Sequence, residues 1–252
     1  MKLALAQMLV EGGRPDRNLA RAGARISEVA RLGADIVLLP EALDFGWTHP
    51  SARGEVDPET VSRLAKAARS SRVYVCAGFI ERVDERLFNS AVLLDRDGQL
   101  LAKHRKINEL EIAHDLYDCG NEANAIAETE FGRLGVQICA DGFAENQWIG
   151  RDLAAAGVQG ILSPCAWAVD ADFDPDISPY GGIWRENYGA VTRDSGIWIA
   201  GCSNVGEIEE GPWAGRICIG NSIVFESGEE VLTGPFGVNA DEVLWFESGL
   251  VK

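Results

Sequence analysis

A glutamate, a lysine and a cysteine stand out in this chain for what precedes them. Glu41 follows Ile36-Val-Leu-Leu-Pro40, Lys106 follows Ala102-Lys-His-Arg105, and Cys139 closes the mostly apolar run Leu134-Gly-Val-Gln-Ile138. Short apolar runs of this kind read as buried strands, and α/β folds gather ligands beyond the carboxyl ends of strands. A thiolate is a nucleophile, a carboxylate can act as general base, and a lysine held among apolar residues can stabilise a developing oxyanion. Such a set attacks an acyl carbon without a histidine. Taken singly, each residue has an ordinary reading: an acid opening a solvated loop, a basic strand end, a small buried hydrophobe. The signal lies in their joint placement. Ala140-Asp141-Gly142 after the cysteine reads as a helix start, whose amides would favour a thiolate. A cysteine–histidine pair with His49, His104 or His114 stays open, since such partners are often distant in sequence.

The elements that must position these residues follow from periodicity. Residues 2–8 read as a strand; Leu19, Ala22, Ile26 and Val29 recur at helical spacing, Gly33 closes that helix, and residues 34–39 form the next strand. This is a βαβ unit, which places two parallel strands in one sheet under a helix. A polar loop from Glu41 leads to a helix over 58–70, a strand over 73–79, and a hairpin over 87–104 turning at Asp95-Arg96-Asp97-Gly98. A second hairpin spans 126–138 and turns at Phe131-Gly132-Arg133. A helix (145–156), a strand (158–163), a helix (178–194), a strand (197–203) and a last hairpin (220–232) complete the series. Such a mixture predicts helices layered over two sheets, in one domain spanning residues 1–252 without repeats or linkers.

Composition narrows the function. The chain carries 39 acidic against 23 basic residues, a net charge of −16, which argues against nucleic acid and favours neutral or cationic small substrates. Its apolar runs are far shorter than the roughly 18 residues that span a bilayer. The N-terminus reads as a first strand rather than a signal peptide, so a cytoplasmic protein with reduced thiols is expected. The six cysteines form no CxxC pair and the three histidines show no ligand spacing to them, which speaks against zinc. Asp172, Asp174 and Asp176 lack the glycine and terminal glutamate of a calcium loop. Glu207, Glu209 and Glu210 read as a solvated loop.

In order and spacing, Leu39-Pro40-Glu41, Arg105-Lys106 and Gly135-Val-Gln-Ile-Cys139-Ala-Asp141 resemble the carbon–nitrogen hydrolase (nitrilase) superfamily. Leu3-Ala-Leu-Ala-Gln7, Phe88-Asn-Ser-Ala91, Phe131-Gly132, Ser163-Pro164, Ala166-Trp167 and Gly220-Asn-Ser222 extend the resemblance over nearly the whole chain. It implies a four-layer α-β-β-α sandwich, a homodimer or higher homo-oligomer, and no metal or organic cofactor. It also implies roles: Glu41 as general base, Cys139 as nucleophile, and Lys106 with the Ala140 amide as oxyanion donors. A second glutamate commonly follows the lysine in this family; Glu109 and Glu111 both compete for it, and Glu111 is preferred. Trp47, Trp167, Tyr180 and Trp184 are candidate pocket walls; Arg185 or Arg193 could bind a substrate carboxylate, although a salt bridge to a nearby acid is the expected reading.

The family's usual Pro-Glu after the cysteine is replaced by Glu145-Asn146 without a proline. Nitrilases tend to carry Cys-Trp-Glu, so Cys139-Ala140-Asp141 points to the amidase and carbamoylase side. The expected activity is therefore hydrolysis of a small linear amide or N-carbamoyl compound through a cysteine thioester. The alternatives are a nitrilase and a catalytically weak binding module with this fold.

Overall fold

The computed structural model describes residues 1–249. In chain order its elements are β1 (Lys2–Gln7), α1 (Pro15–Arg31), β2 (Ile36–Leu38), α2 (Thr60–Ser71), β3 (Tyr74–Val83), β4 (Arg86–Leu94) and β5 (Leu100–Arg105). There follow β6 (Ile126–Thr129), β7 (Gly132–Val136), α3 (Trp148–Ala155), β8 (Gly160–Cys165), β9 (Ala168–Asp170) and α4 (Gly182–Ser195). The chain closes with β10 (Trp198–Ser203), β11 (Val205–Glu207), β12 (Arg216–Ile219), β13 (Ile223–Glu226), β14 (Glu229–Thr233) and β15 (Glu242–Glu247).

Two six-stranded sheets result, ordered β15-β1-β2-β3-β4-β5 and β14-β13-β10-β8-β7-β6, with a small third sheet β11-β12-β9. In each large sheet the three central strands are parallel (β1, β2, β3 and β7, β8, β10) and the flanking ones antiparallel. The parallel strands are joined by crossings that carry helices: α1 and α2 in the first sheet, α3 and α4 in the second.

Strand alternation decides which side chain faces which layer. Leu3, Leu5, Ile36, Leu38, Cys76 and Leu93 point between the sheets, where they meet Leu134, Val136, Leu162 and Cys202. Their neighbours Ala4, Ala6, Val37, Val75 and Val92 point outward and bury Leu19, Ala22, Ile26 and Val29 of α1 and Leu64 of α2. Ile149, Leu153, Tyr188 and Val191 of α3 and α4 close the other face. This is the expected α-β-β-α order.

Local departures have local causes. The helix expected from residue 145 starts at Trp148, because Asn146 and Gln147 both occupy the left-handed region (φ 55° and 54°). The helix expected from residue 178 starts at Gly182, after Gly181 at φ 95°. The helix start expected at Ala140-Asp141-Gly142 is one 3-10 turn, Cys139–Phe143, and β7 ends at Val136 rather than running to the cysteine. The second hairpin turns one residue early, because Gly132 already belongs to β7. Two features carried no expectation: the small third sheet, and β15, which pairs with β1 from Lys2↔Glu247 to Gln7↔Glu242. Among the described residues, no helix is long and apolar enough to cross a membrane.

Candidate active site

Glu41 lies in the loop after β2, Lys106 directly follows β5, and Cys139 stands three residues beyond β7. All three side chains line one small cavity, although they come from different sheets. The Glu41 loop bridges the layers: the Glu41 amide donates to the Cys165 carbonyl at the end of β8 (3.1 Å), and the Gly78 amide of β3 donates to the Pro40 carbonyl (3.0 Å). Gly78 must be glycine for this approach, since a Cβ there would sit 2.5 Å from the Glu41 Cα. Asp44 fastens the same loop to β3 by accepting from the Ile80 amide at 3.1 Å, and burial pushes its carboxyl up to about 7.

Lys106 is 1 % exposed, as is Glu41. Its Nζ donates to Glu41 Oε1 at 2.7 Å and stands 3.2 Å from Glu109 Oε2. Burial alone would make the ammonium easier to deprotonate, yet Glu109 and Glu41 outweigh it and raise its pKa well above the ordinary value. Glu41 Oε1 also accepts from Asn89 Nδ2 at 2.6 Å. Its second oxygen, Oε2, is buried and without a hydrogen-bond partner. One oxygen is therefore held by two donors and the other is free to take a proton.

Cys139 takes a positive φ of 44°, a conformation costing a non-glycine residue roughly 1–2 kcal/mol. The strand-to-turn reversal that imposes it carries the side chain onto the cavity. Burial, reinforced by a neighbouring thiol at Cys165 and the Glu41 carboxylate, raises the Cys139 pKa well above the ordinary thiol value. At neutral pH the resting side chain is a thiol, so attack through this sulfur requires a base. Gly142, in the same turn, lies so close to the Tyr188 ring that a Cβ there would approach it to 2.4 Å.

The turn and the lysine loop are locked together by Asp141. Its Oδ1 accepts from the amides of Ile107 (3.1 Å) and Asn108 (2.8 Å), and its Oδ2 from the Ile138 amide (2.9 Å) and His104 Nε2 (2.7 Å). Asn108 Nδ2 returns a bond to the Ala140 carbonyl at 2.7 Å. Burial works to raise the Asp141 pKa, but His104 and these amides outweigh it and hold the carboxyl below its usual value. Asp141→Ala strands several buried donors and should cost about 3–5 kcal/mol of stability by denaturant unfolding. Since the folded-state pKa is depressed, Asp141 stabilises the fold fully above the unfolded carboxyl value, about pH 4, and loses that effect as pH falls through the folded value. Asp141→Asn should remove this part of the acid dependence.

The structure corrects one expected position. Glu111 is exposed in the 3-10 turn Glu111–Ala113, whereas Glu109 is buried against Lys106. Burial raises the Glu109 pKa, with Lys106 opposing it. Ala140, Trp47, Trp167, Tyr180 and Trp184 all line the cavity, joined by Phe143 and Trp213, which the sequence reading had not singled out. Trp167 and Trp184 stack at 4.8 Å between ring centroids. Arg185 is paired with Glu230 at 2.6 Å instead of facing the cavity. His104 is taken up by Asp141, His49 lies next to the cavity beyond Trp47, and His114 Nε2 is 3.2 Å from the Glu109 carbonyl. Among the described residues, no group of three His, Cys, Asp or Glu side chains is placed to hold a metal ion. Asn89 carried no role in the sequence; its signal was the polar pair Asn89-Ser90 inside the buried stretch of β4.

The family model for carbon-nitrogen hydrolases matches residues 2–246. The chain belongs to that family. It is similar to a nitrilase of Pyrococcus abyssi (32% identical over 202 residues, 77% of this chain and 74% of that protein). It is also similar to an omega-amidase of Mus musculus (28% over 245 residues, 92% and 83%). In fold it matches an amidase from Nesterenkonia sp. with a TM-score of 0.80 at 23% identity, over 97% of this chain and 89% of that one. A variant of the Nesterenkonia sp. AN1 amidase, 22% identical with a TM-score of 0.79 over the same shares of both chains, shows the acetamide moiety of fluoroacetamide added covalently at its active-site cysteine. Hydrolysis of a carbon–nitrogen bond is the general chemistry of that family.

Proposed function

We propose that this carbon-nitrogen hydrolase cleaves a small linear amide or N-carbamoyl compound through a thioester on Cys139. The observation that carries the reading is the unpartnered Oε2 of Glu41, buried in the cavity that Lys106 and Cys139 also line. Glu41 Oε2 takes the thiol proton as Sγ bonds to the carbonyl carbon. The carbonyl oxygen becomes an oxyanion, held by Lys106 Nζ and the Ala140 amide. Collapse breaks the C–N bond, and the departing nitrogen takes the proton from Glu41, leaving ammonia or an amine and a thioester. Glu41 then deprotonates water, which adds to the thioester carbon; the thiol leaves with the proton returned to sulfur and the acid is released. Glu109 keeps Lys106 protonated throughout, consistent with the raised lysine pKa. The covalent adduct in the similar Nesterenkonia amidase supports the nucleophile's role.

Cavity size and walls fit a small acyl group packed between indoles. A panel of short amides, N-carbamoyl compounds and nitriles, scored for ammonia release, should show turnover of amides or carbamoyl compounds. Consumption of nitriles alone would move the assignment to nitrilase, and no turnover of any member would favour a binding module.

A further inference from the structure

A second, narrow cleft lies against the catalytic cavity, and Trp47 and Ala166 belong to the walls of both. Trp47 stands between two charges: the Lys106 ammonium lies 5.3 Å from its ring centroid, and beyond the indole the wall is acidic. Glu207, Glu209 and Glu210, from the end of β11 and the loop after it, line this space opposite Gly12 and His49. Among the described residues, none of the three glutamates is ion-paired with a lysine or arginine; Glu210 has only His49 Nε2, at 4.0 Å. Arg14 and Arg17 border an adjoining outer cleft that Glu207 and Glu209 also line, and Arg17 is engaged by Glu11 at 3.3 Å. Burial lowers the His49 pKa against the pull of Glu210 and Glu209, so its imidazole adds no cation at neutral pH.

Two buried polar atoms on this wall lack partners. Asn204, 4 % exposed, leaves its Oδ1 unsatisfied. Trp47, 7 % exposed, leaves its indole Nε1 unsatisfied. A buried carbonyl oxygen on a wall with three carboxylates that make no lysine or arginine ion pair is an acceptor surface for N–H donors that carry positive charge. With no three-residue metal-binding group among the described residues, an organic cation fits better than a metal ion.

We infer that this second cleft is the subsite for the far end of the substrate and selects a cationic group, a primary ammonium or guanidinium, on a short chain running past Trp47 and Ala166 from the scissile amide. The inference rests on the amidohydrolase reading and names its substrate class. The acids attract the cation while Asn204 Oδ1 accepts one of its N–H groups; a carboxylate-tailed amide meets like charge and is rejected. The preference falls with salt, as expected for partly solvated charges.

The test compares 5-aminopentanamide, neutral pentanamide and carboxylate-tailed glutaramic acid. Wild-type kcat/KM should rank them in that order, ammonium over neutral by about tenfold, a size reasonable for several acids acting together. The Glu207→Gln, Glu209→Gln, Glu210→Gln triple variant should bring the ammonium-to-neutral ratio near unity, and Asn204→Leu should lower it. Equal rates for ammonium and neutral tails, preference for the carboxylate, or a ratio unchanged in the triple variant overturns the subsite while leaving the hydrolase standing. If no amide is turned over, calorimetric binding of the same compounds to Cys139→Ala protein decides separately. Tighter binding of the ammonium compound, abolished in the triple variant, upholds the subsite; equal binding refutes it.

Discussion

Cys139→Ala should lower amide turnover by about 10⁶-fold, the scale on which losing a nucleophile removes covalent catalysis. The substitution deletes one sulfur and keeps the Cβ, so the left-handed backbone at this position changes little. Glu41, Lys106, Asn89 and Glu109 contact one another independently of the thiol and should keep their arrangement. The folded variant should therefore still bind amides. Activity that persists would move the nucleophile elsewhere; Cys165, near Cys139 at the end of β8, is the first place to look.

Glu41→Gln should reduce kcat by about 10²–10⁴-fold, the range for loss of a general base. Glutamine keeps the shape and can still accept from Asn89 and Lys106, so packing around the site is retained. What goes is the oxygen that receives the thiol proton. Because burial leaves Cys139 a thiol at neutral pH, no other group is positioned to make up the loss by ionising it spontaneously. The variant should regain part of its rate as pH rises toward the thiol's own ionisation, whereas wild type should not show that dependence. A rate equal to wild type at neutral pH would remove Glu41 from the chemistry.

The three central residues were legible because each follows a strand, and strand ends can be read from apolar runs. The choice between Glu109 and Glu111 was not. Both sit in a short segment without periodicity, and which one turns inward depends on Asp141 gripping the amides of Ile107 and Asn108 from another part of the chain. Asp141 itself was read as part of a helix start; its burial and four donors appear only once β5 and β7 lie in facing sheets. Likewise β15 pairs with β1 from the opposite end of the chain, a long-range partnership that local pattern does not encode. The Trp47, Trp167, Tyr180 and Trp184 side chains were recognisable as pocket candidates from positions in or near the loops that follow strands, and the structure gathers all four on one cavity. Glu207, Glu209 and Glu210 read as a solvated acidic loop and are indeed exposed; their place beside Trp47 follows from the third sheet, which had no clear signal.

The central claim is a bond between the substrate's acyl carbon and Cys139 Sγ. Rapid-quench intact-mass analysis during turnover of a short amide, followed by peptide mapping, tests it most directly. The predicted result is a mass increase equal to the acyl group replacing the thiol hydrogen, located at Cys139 and converted to a hydroxamate by added hydroxylamine. Steady ammonia release with no adduct on Cys139 and no hydroxamate formed would contradict it.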